Sequence, residues 1–144
     1  HPLVWTDGDR QLLEVPVTTM PIFKVPIHGS YVLFLAGYSK RLAKTYFWMA
    51  MKLCRWMGVE PSLLLHPLDF LGKDDEPDLA FFPAMNQLAQ DKIDIMSFCL
   101  RMLTDNFQPV TMEEHAQVML TRKLRQRSID TAPAGVKACM ASQP

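Results

Sequence analysis

The sequence PSLLLH at residues 61–66 decides the fold class predicted for this chain. Its three leucines follow a helical pattern and end at Pro67. An unbroken aliphatic run in that position is typical of a strand buried on both faces, as in parallel sheets covered by helices. The run therefore predicts α/β architecture.

Helical patterns lie on both sides of this run. Ser39 is a favourable N-cap, an apolar stripe follows it at helical spacing, and Gly58 is a C-terminal stop, so a helix is predicted over residues 39–57. A second helix is predicted over residues 86–103. A third is predicted to begin at the capping box of Thr111 and to run to about residue 127.

Shorter patterns complete the predicted order. Residues 12–17 and 107–111 are strand candidates, and residues 27–38 fit either a buried strand or, as we favour, a short helix. The resulting alternation of strands and helices predicts parallel strands inside and helices outside. Ala, Pro, Gly and Ser dominate residues 128–144, which predicts a disordered tail.

Composition excludes some classes of function. The chain has 144 residues with 15 Lys+Arg and 15 Asp+Glu, and this neutral balance gives no support to a nucleic-acid partner. Its longest uncharged run, residues 25–39, is shorter than the roughly 20 apolar residues of a membrane span, so no transmembrane segment is predicted. No GxSxG, GxGxxG or P-loop motif occurs.

The three cysteines predict neither a disulfide framework nor a zinc site, since they lie far apart and form no CxxC pair. Cys54 and Cys99 lie in apolar periodic stretches and are predicted to be small core residues. A reducing compartment fits this usage, which favours the cytoplasm slightly and decides little.

Two histidines are candidates for chemistry. His66 ends the predicted buried strand, where α/β folds place reacting groups, and a general acid there could be oriented by the carboxylate of Asp69. The alternative is a histidine that only caps the strand and bonds to the main chain. His28, between Pro26 and Gly29, either lines a site or is a structural loop residue.

Four segments carry a resemblance to a known family: LLEVPVTT at 12–19, EPSLLLHPLDFLG at 60–72, AFFP at 80–83 and FQPVTMEEHA at 107–116. Together they resemble the C-terminal part of polysaccharide deacetylases of the NodB (carbohydrate esterase) type, over roughly residues 3–120. The resemblance implies that residues 1–127 are the C-terminal portion of a distorted (β/α) barrel, incomplete in this chain, with parallel strands and outer helices.

The family's chemistry is metal-assisted hydrolysis of the amide of an N-acetyl sugar. The resemblance implies that Leu64 lines the pocket for the acetyl methyl group and that His66 protonates the leaving amine. A divalent metal, usually zinc, polarises the carbonyl in the complete family domain. The implied ligand is an N-acetylated saccharide or a lipid-linked sugar.

The family's metal-binding motifs are missing from this chain. Neither the early Asp-Asp motif nor His-x-x-x-His occurs, and the one Asp-Asp pair, Asp74-Asp75, lies in an acidic loop after the wrong strand. The chain also begins with His rather than Met. We therefore expect a piece of a longer enzyme that binds no metal by itself and is inactive alone.

Two other interpretations stay open. The chain could be a non-catalytic module that binds a glycan, a lipid-linked sugar or a protein through an aromatic surface made by Tyr31, Phe34, Trp48 and Trp56. It could also be an unrelated α/β domain. An incomplete barrel would expose a sheet edge, which predicts self-association through that edge.

Overall fold

The computed structural model describes residues 2–141 and has mixed α/β architecture, with five helices and a three-stranded sheet in that range. The chain divides into two compact units. We call Val17–Pro109 the helical unit, and His1–Pro16 together with Val110–Pro144 the sheet unit. The prediction of α/β architecture is confirmed at this level.

Three helices build the helical unit: α1 (Gly29–Tyr38), α2 (Lys40–Trp56) and α3 (Ala89–Asn106). They pack on one another around a continuous apolar core. Its fully buried members include Met20, Ile27, Val32, Leu33, Ala43, Phe47, Ala50, Met51, Cys54, Ile95, Met96 and Cys99. The apolar stripe predicted for α2 is only partly correct. Ala50 and Cys54 belong to the core, but Leu42, Met49 and Met57 are exposed, because the buried face of α2 is turned toward Ala43, Phe47 and Met51.

Local sequence sets where these helices begin. Ser39 ends α1 and caps α2, where its side chain accepts a hydrogen bond from Leu42 N. His28 caps α1. The helix predicted over residues 27–38 is confirmed, and so is the one predicted over residues 39–57, apart from shifts of one or two residues at their ends.

The predicted core positions of two cysteines are confirmed. Cys54 and Cys99 are buried, and burial raises the pKa of Cys54 to about 11 and that of Cys99 to about 12. Thiols held protonated in this way are poor nucleophiles, because the thiolate is the reactive form. Both side chains therefore act as small apolar residues between α2 and α3.

Three strands and two helices make up the sheet unit. The strands are β1 (Leu3–Asp7), β2 (Arg10–Glu14) and β3 (Arg125–Ser128), in the order β2-β1-β3. β1 and β2 form an antiparallel hairpin whose turn contains Gly8 at φ +57°, while β3 runs parallel to β1. The two edge strands are β2 and β3, and self-association through an edge stays a prediction.

The helices of the sheet unit are α4 (Met112–Leu120) and α5 (Ala134–Ala141). The predicted capping box at the start of α4 is confirmed: Thr111 and Glu114 bond to each other's backbone N–H. Trp5 is buried with Ala132 and Met140, and its indole N–H donates to Glu14 at 2.6 Å. A satellite core therefore forms on one face of β1.

The prediction of a buried strand at residues 61–66 is wrong. Only one bridge forms there, parallel, between His28 and Leu64, and the side chain of Leu64 is 40% exposed. Pro61 has no N–H to give to a ladder, and the N–H of Ser62 donates to the hydroxyl of Thr18 instead. The N–H of Ser62 thus bonds to a side chain rather than to a neighbouring strand.

Two further boundaries differ from the prediction. Residues 107–111 are not a strand, because Phe107 caps the end of α3, Pro109 lacks a donor and Thr111 caps α4. The last predicted helix stops at Leu120, because residues 125–128 pair with β1. Where a disordered tail was predicted from residue 128, the structure has a 3-10 turn and α5, and residues 142–144 lie outside the described residues.

No helix within residues 2–141 combines the length and the apolar character that crossing a bilayer requires.

Lys92 on α3 is fully buried, which is unusual for a lysine. Its ammonium group donates to the carbonyl oxygens of Leu68 at 2.8 Å and Leu71 at 2.6 Å, and lies 3.3 Å from the sulfur of Met85. These three contacts match the three donors of an ammonium group. The hydrogen bonds of Lys92 therefore hold residues 68–71 against α3.

We predict that Lys92 makes stability rise with pH. Burial lowers its pKa, against the attraction of Asp69 and Asp75, so the unfolded chain binds more protons than the native one between the lowered value and the ordinary value of 10.5. In that window the free energy of unfolding of the native sequence should increase with pH relative to that of Lys92→Met. Urea denaturation at several pH values, with the exposed Lys40→Met as control, measures the difference, and parallel curves for the native sequence and Lys92→Met would contradict it.

Candidate functional site

Four polar residues that are distant in sequence come together in the helical unit: His28, Ser30, His66 and Asp69. We call them the histidine cluster. The N–H of Gly29 donates to the carbonyl oxygen of Leu64 at 3.0 Å, next to the single parallel bridge between His28 and Leu64. This main-chain contact places the start of α1 beside the segment that carries His66.

Asp69 holds the histidine cluster together. Its side chain is only 2% exposed, and one carboxylate oxygen accepts from the Ser30 hydroxyl at 2.6 Å, while the other accepts from the backbone N–H of His66 at 2.8 Å. Bonds to a charged acceptor are stronger than neutral ones. Asp69 therefore fixes the main chain of His66, and its predicted role of orienting the ring of His66 stays a prediction.

The two imidazole rings of the cluster are neighbours. The ring centroids of His28 and His66 lie 5.2 Å apart, with 43° between the ring planes. His66 is exposed, and His28 is half-buried. A ligand in solvent can therefore reach His66 directly and meets His28 beside it.

Side chains next to His66 alternate between the two sides of the chain. In an extended backbone, successive side chains point to opposite sides. Leu65 faces Gly29, since its Cδ2 atom lies 2.8 Å from where a Cβ on Gly29 would be. The half-exposed Leu64 and the exposed His66 consequently share the other side, an apolar group beside a proton donor.

The capping role of His28 selects the tautomer of its neutral ring. Its Nδ1 accepts a hydrogen bond of 3.1 Å from the backbone N–H of Ser30, which can only donate. A neutral imidazole has one N–H, so the proton of His28 is on Nε2. His28 thus presents a donor, not a lone pair, at the far end of its ring.

This tautomer does not fit metal binding by the two histidines. A metal-bound histidine normally donates its other ring N–H to an acceptor, whereas the other ring nitrogen of His28 itself accepts. Both oxygens of Asp69 are also engaged. Within residues 2–141, no group of three or more His, Cys, Asp or Glu side chains is arranged to hold a metal ion.

An aromatic strip lies along α1 from the turn after His28. The ring of Tyr31 lies 6.4 Å from that of Phe34, and the ring of Phe34 lies 5.2 Å from that of Tyr38. Tyr46 of α2 joins edge-on to Tyr31, donates to the carbonyl oxygen of Pro26 at 2.7 Å and has its pKa raised to about 12 by burial. Phe34 is 47% and Tyr38 75% exposed, so the strip ends in solvent.

Comparison of the chain with protein-family models, with curated proteins and with solved structures found no match in any of the three.

The sequence alone indicated His28, His66 and Asp69 as site residues. It did not indicate the structural roles of Ser30, Gly29 and Lys92. Ser30 carries no local signal for this role, because its hydroxyl bonds to a carboxylate 39 residues away. Lys92 carries no local signal, since its burial depends on carbonyl groups more than 20 residues away. Trp48 and Trp56 are exposed on α2, but the ring contacts that build the strip involve tyrosines and Phe34.

We predict that Gly29→Ala destabilises the helical unit by about 1–3 kcal/mol, the usual cost of overpacking. A Cβ there would come within 2.7 Å of Asp69 Oδ2 and 2.8 Å of Leu65 Cδ2, so the carboxylate would have to leave the Ser30 hydroxyl or the His66 N–H. Chemical denaturation measures the loss. Gly135→Ala, with no atom near its new Cβ, is the matched control, and equal stability of the two variants would contradict the prediction.

Proposed function

We propose that this chain is the C-terminal portion of a NodB-type deacetylase domain, in which His66 is the general acid acting on an N-acetylated sugar. The observation that carries the proposal is the placement of His66: its imidazole is exposed, while its backbone N–H is held by a buried carboxylate. A proton donor must be reachable by substrate and fixed in position.

The neighbourhood of His66 supports the same role. Leu64, 40% exposed on the same side of the chain, supplies an apolar surface suited to an acetyl methyl group. Imidazole changes its charge near neutral pH, so it can hold a proton and release it to a departing amine. Asp69 acts on His66 through the main chain and is a positioning residue in this proposal.

The proposed enzyme needs a second part of the barrel. The residues described here do not fit the family's metal, so its ligands would come from chain outside this sequence. In the complete domain this chain would supply the acid.

The test uses the complete gene product that contains this chain. Acetate release from the β-1,4-linked tetrasaccharide of N-acetylglucosamine should occur, and His66→Gln should lower kcat by about 10²- to 10⁴-fold, the usual contribution of a general acid. His115→Gln, on α4 outside the histidine cluster, is the matched control. An unchanged kcat in His66→Gln would refute the assigned role.

An alternative function is glycan binding without catalysis, and the exposed aromatic strip favours it. Aromatic rings with open faces suit the apolar faces of sugar rings. A lipid-linked sugar or a protein could occupy the same strip, so the class of ligand has to be measured.

For this alternative we predict saccharide binding by the chain that a metal chelator does not change. Tyr38→Ala should weaken binding several-fold, because it removes the most exposed ring of the strip. Phe23→Ala is the matched control, since Phe23 is 61% exposed outside the strip. Calorimetric titration with the same tetrasaccharide, with and without chelator, measures both effects, and equal weakening by the two variants would exclude a specific role for the strip.

A further inference from the structure

His28 combines a fixed tautomer with a place beside the proposed acid. We propose that its Nε2–H is a permanent hydrogen-bond donor that binds an acceptor oxygen, a hydroxyl or carbonyl, of the sugar on which His66 acts. The class of ligand rests on the proposed function, whereas the donor rests on the geometry of His28 alone.

The cap at the start of α1 determines the donor. Since the Ser30 N–H points its hydrogen at Nδ1, protonation of Nδ1 would break that bond and set two donors against each other. In the neutral ring the proton is therefore on Nε2. Giving up that proton would leave an imidazolate, so His28 is not a second acid.

The surroundings of His28 fix where the donor lies. Gly29 is buried against Asp69 and Leu65, and the carbonyl of His28 accepts from Val32 N at 3.1 Å. The ring itself is half-buried and 5.2 Å, centroid to centroid, from the exposed ring of His66. A sugar whose amide nitrogen meets His66 thus has its adjacent oxygens within reach of His28.

Two substitutions separate the cap from the donor. His28→Asn keeps an acceptor near the position of Nδ1, because Asn is among the best N-cap residues, but it removes the distal N–H. His28→Gln places an amide N–H near the position of Nε2 and gives up the cap. If His28 is only a helix cap, the Asn variant should be more stable than the Gln variant and affinity should not depend on the distal N–H. If His28 is a ligand donor, the Gln variant should bind the ligand more tightly than the Asn variant.

The first measurement is the tautomer. Long-range ¹H–¹⁵N correlations of the imidazole in the folded chain should give the Nε2–H form for His28. A neutral ring with its proton on Nδ1 and none on Nε2 would overturn the proposal. This readout is independent of any enzymatic activity.

The second measurement is affinity for the β-1,4-linked tetrasaccharide of N-acetylglucosamine, followed by NMR titration of the chain. His28→Asn should raise Kd about fivefold, the usual effect of one lost hydrogen bond, with little change in Tm. His28→Gln should stay within about twofold of the native Kd and melt at a lower temperature. If His28→Asn lowers Tm strongly, the Kd of His28→Gln decides whether His28 is a donor. A fivefold higher Kd for His28→Gln than for the native chain overturns the proposal.

The remaining outcomes separate this proposal from the proposed function. An unchanged Kd in His28→Asn, or no binding by the native chain, overturns the role of His28 even if the complete gene product releases acetate. Conversely, binding that depends on His28 without any acetate release leaves His28 as a sugar donor and refutes the deacetylase. In an active enzyme, His28→Asn should raise KM about fivefold with kcat changed less than twofold.

Discussion

The candidate site depends on one buried carboxylate. Asp69 is 2% exposed, and burying an ionised group requires bonds that replace its lost water. It obtains them from the Ser30 hydroxyl, 39 residues earlier, and from the backbone of His66. The positive charge of Lys92 interacts with it as well. The start of α1, the turn after His66 and α3 thus meet at a single charge.

Lys92 extends this arrangement to the chain beyond Asp69. By binding the carbonyl oxygens of Leu68 and Leu71, its ammonium group fixes the turn on which Asp69 sits. Burial of a lysine disfavours its charged form, so part of the stability of the unit is given up to hold this turn. The result is a rigid frame behind two imidazoles that remain open to solvent or half-buried, as a binding or catalytic site requires.

The sequence was most informative where the determinants are local. Ser39 and Thr111 were predicted correctly as helix caps, because a cap depends on residues within one turn. The buried face of α2 was predicted only in part, because it also depends on which helices pack against it. The aliphatic run at residues 61–66 predicted a strand that does not form. A strand also needs a partner strand, and the periodicity of a sequence does not specify one. For the same reason His66 and Asp69 could be named as candidates, whereas their links to Ser30 and Lys92 could not.

The closeness of the His28 and His66 rings has an electrostatic consequence for proton transfer. Two imidazolium rings 5.2 Å apart would repel by between about 1 and 3 kcal/mol, for effective dielectric constants from about 80 to about 20. A second proton on His28 would have to go to Nδ1, where it would break the hydrogen bond from the Ser30 N–H. In the proposed function, the backbone at the start of α1 thus distinguishes two identical side chains: His66 would give up a proton, and His28 would keep one on Nε2.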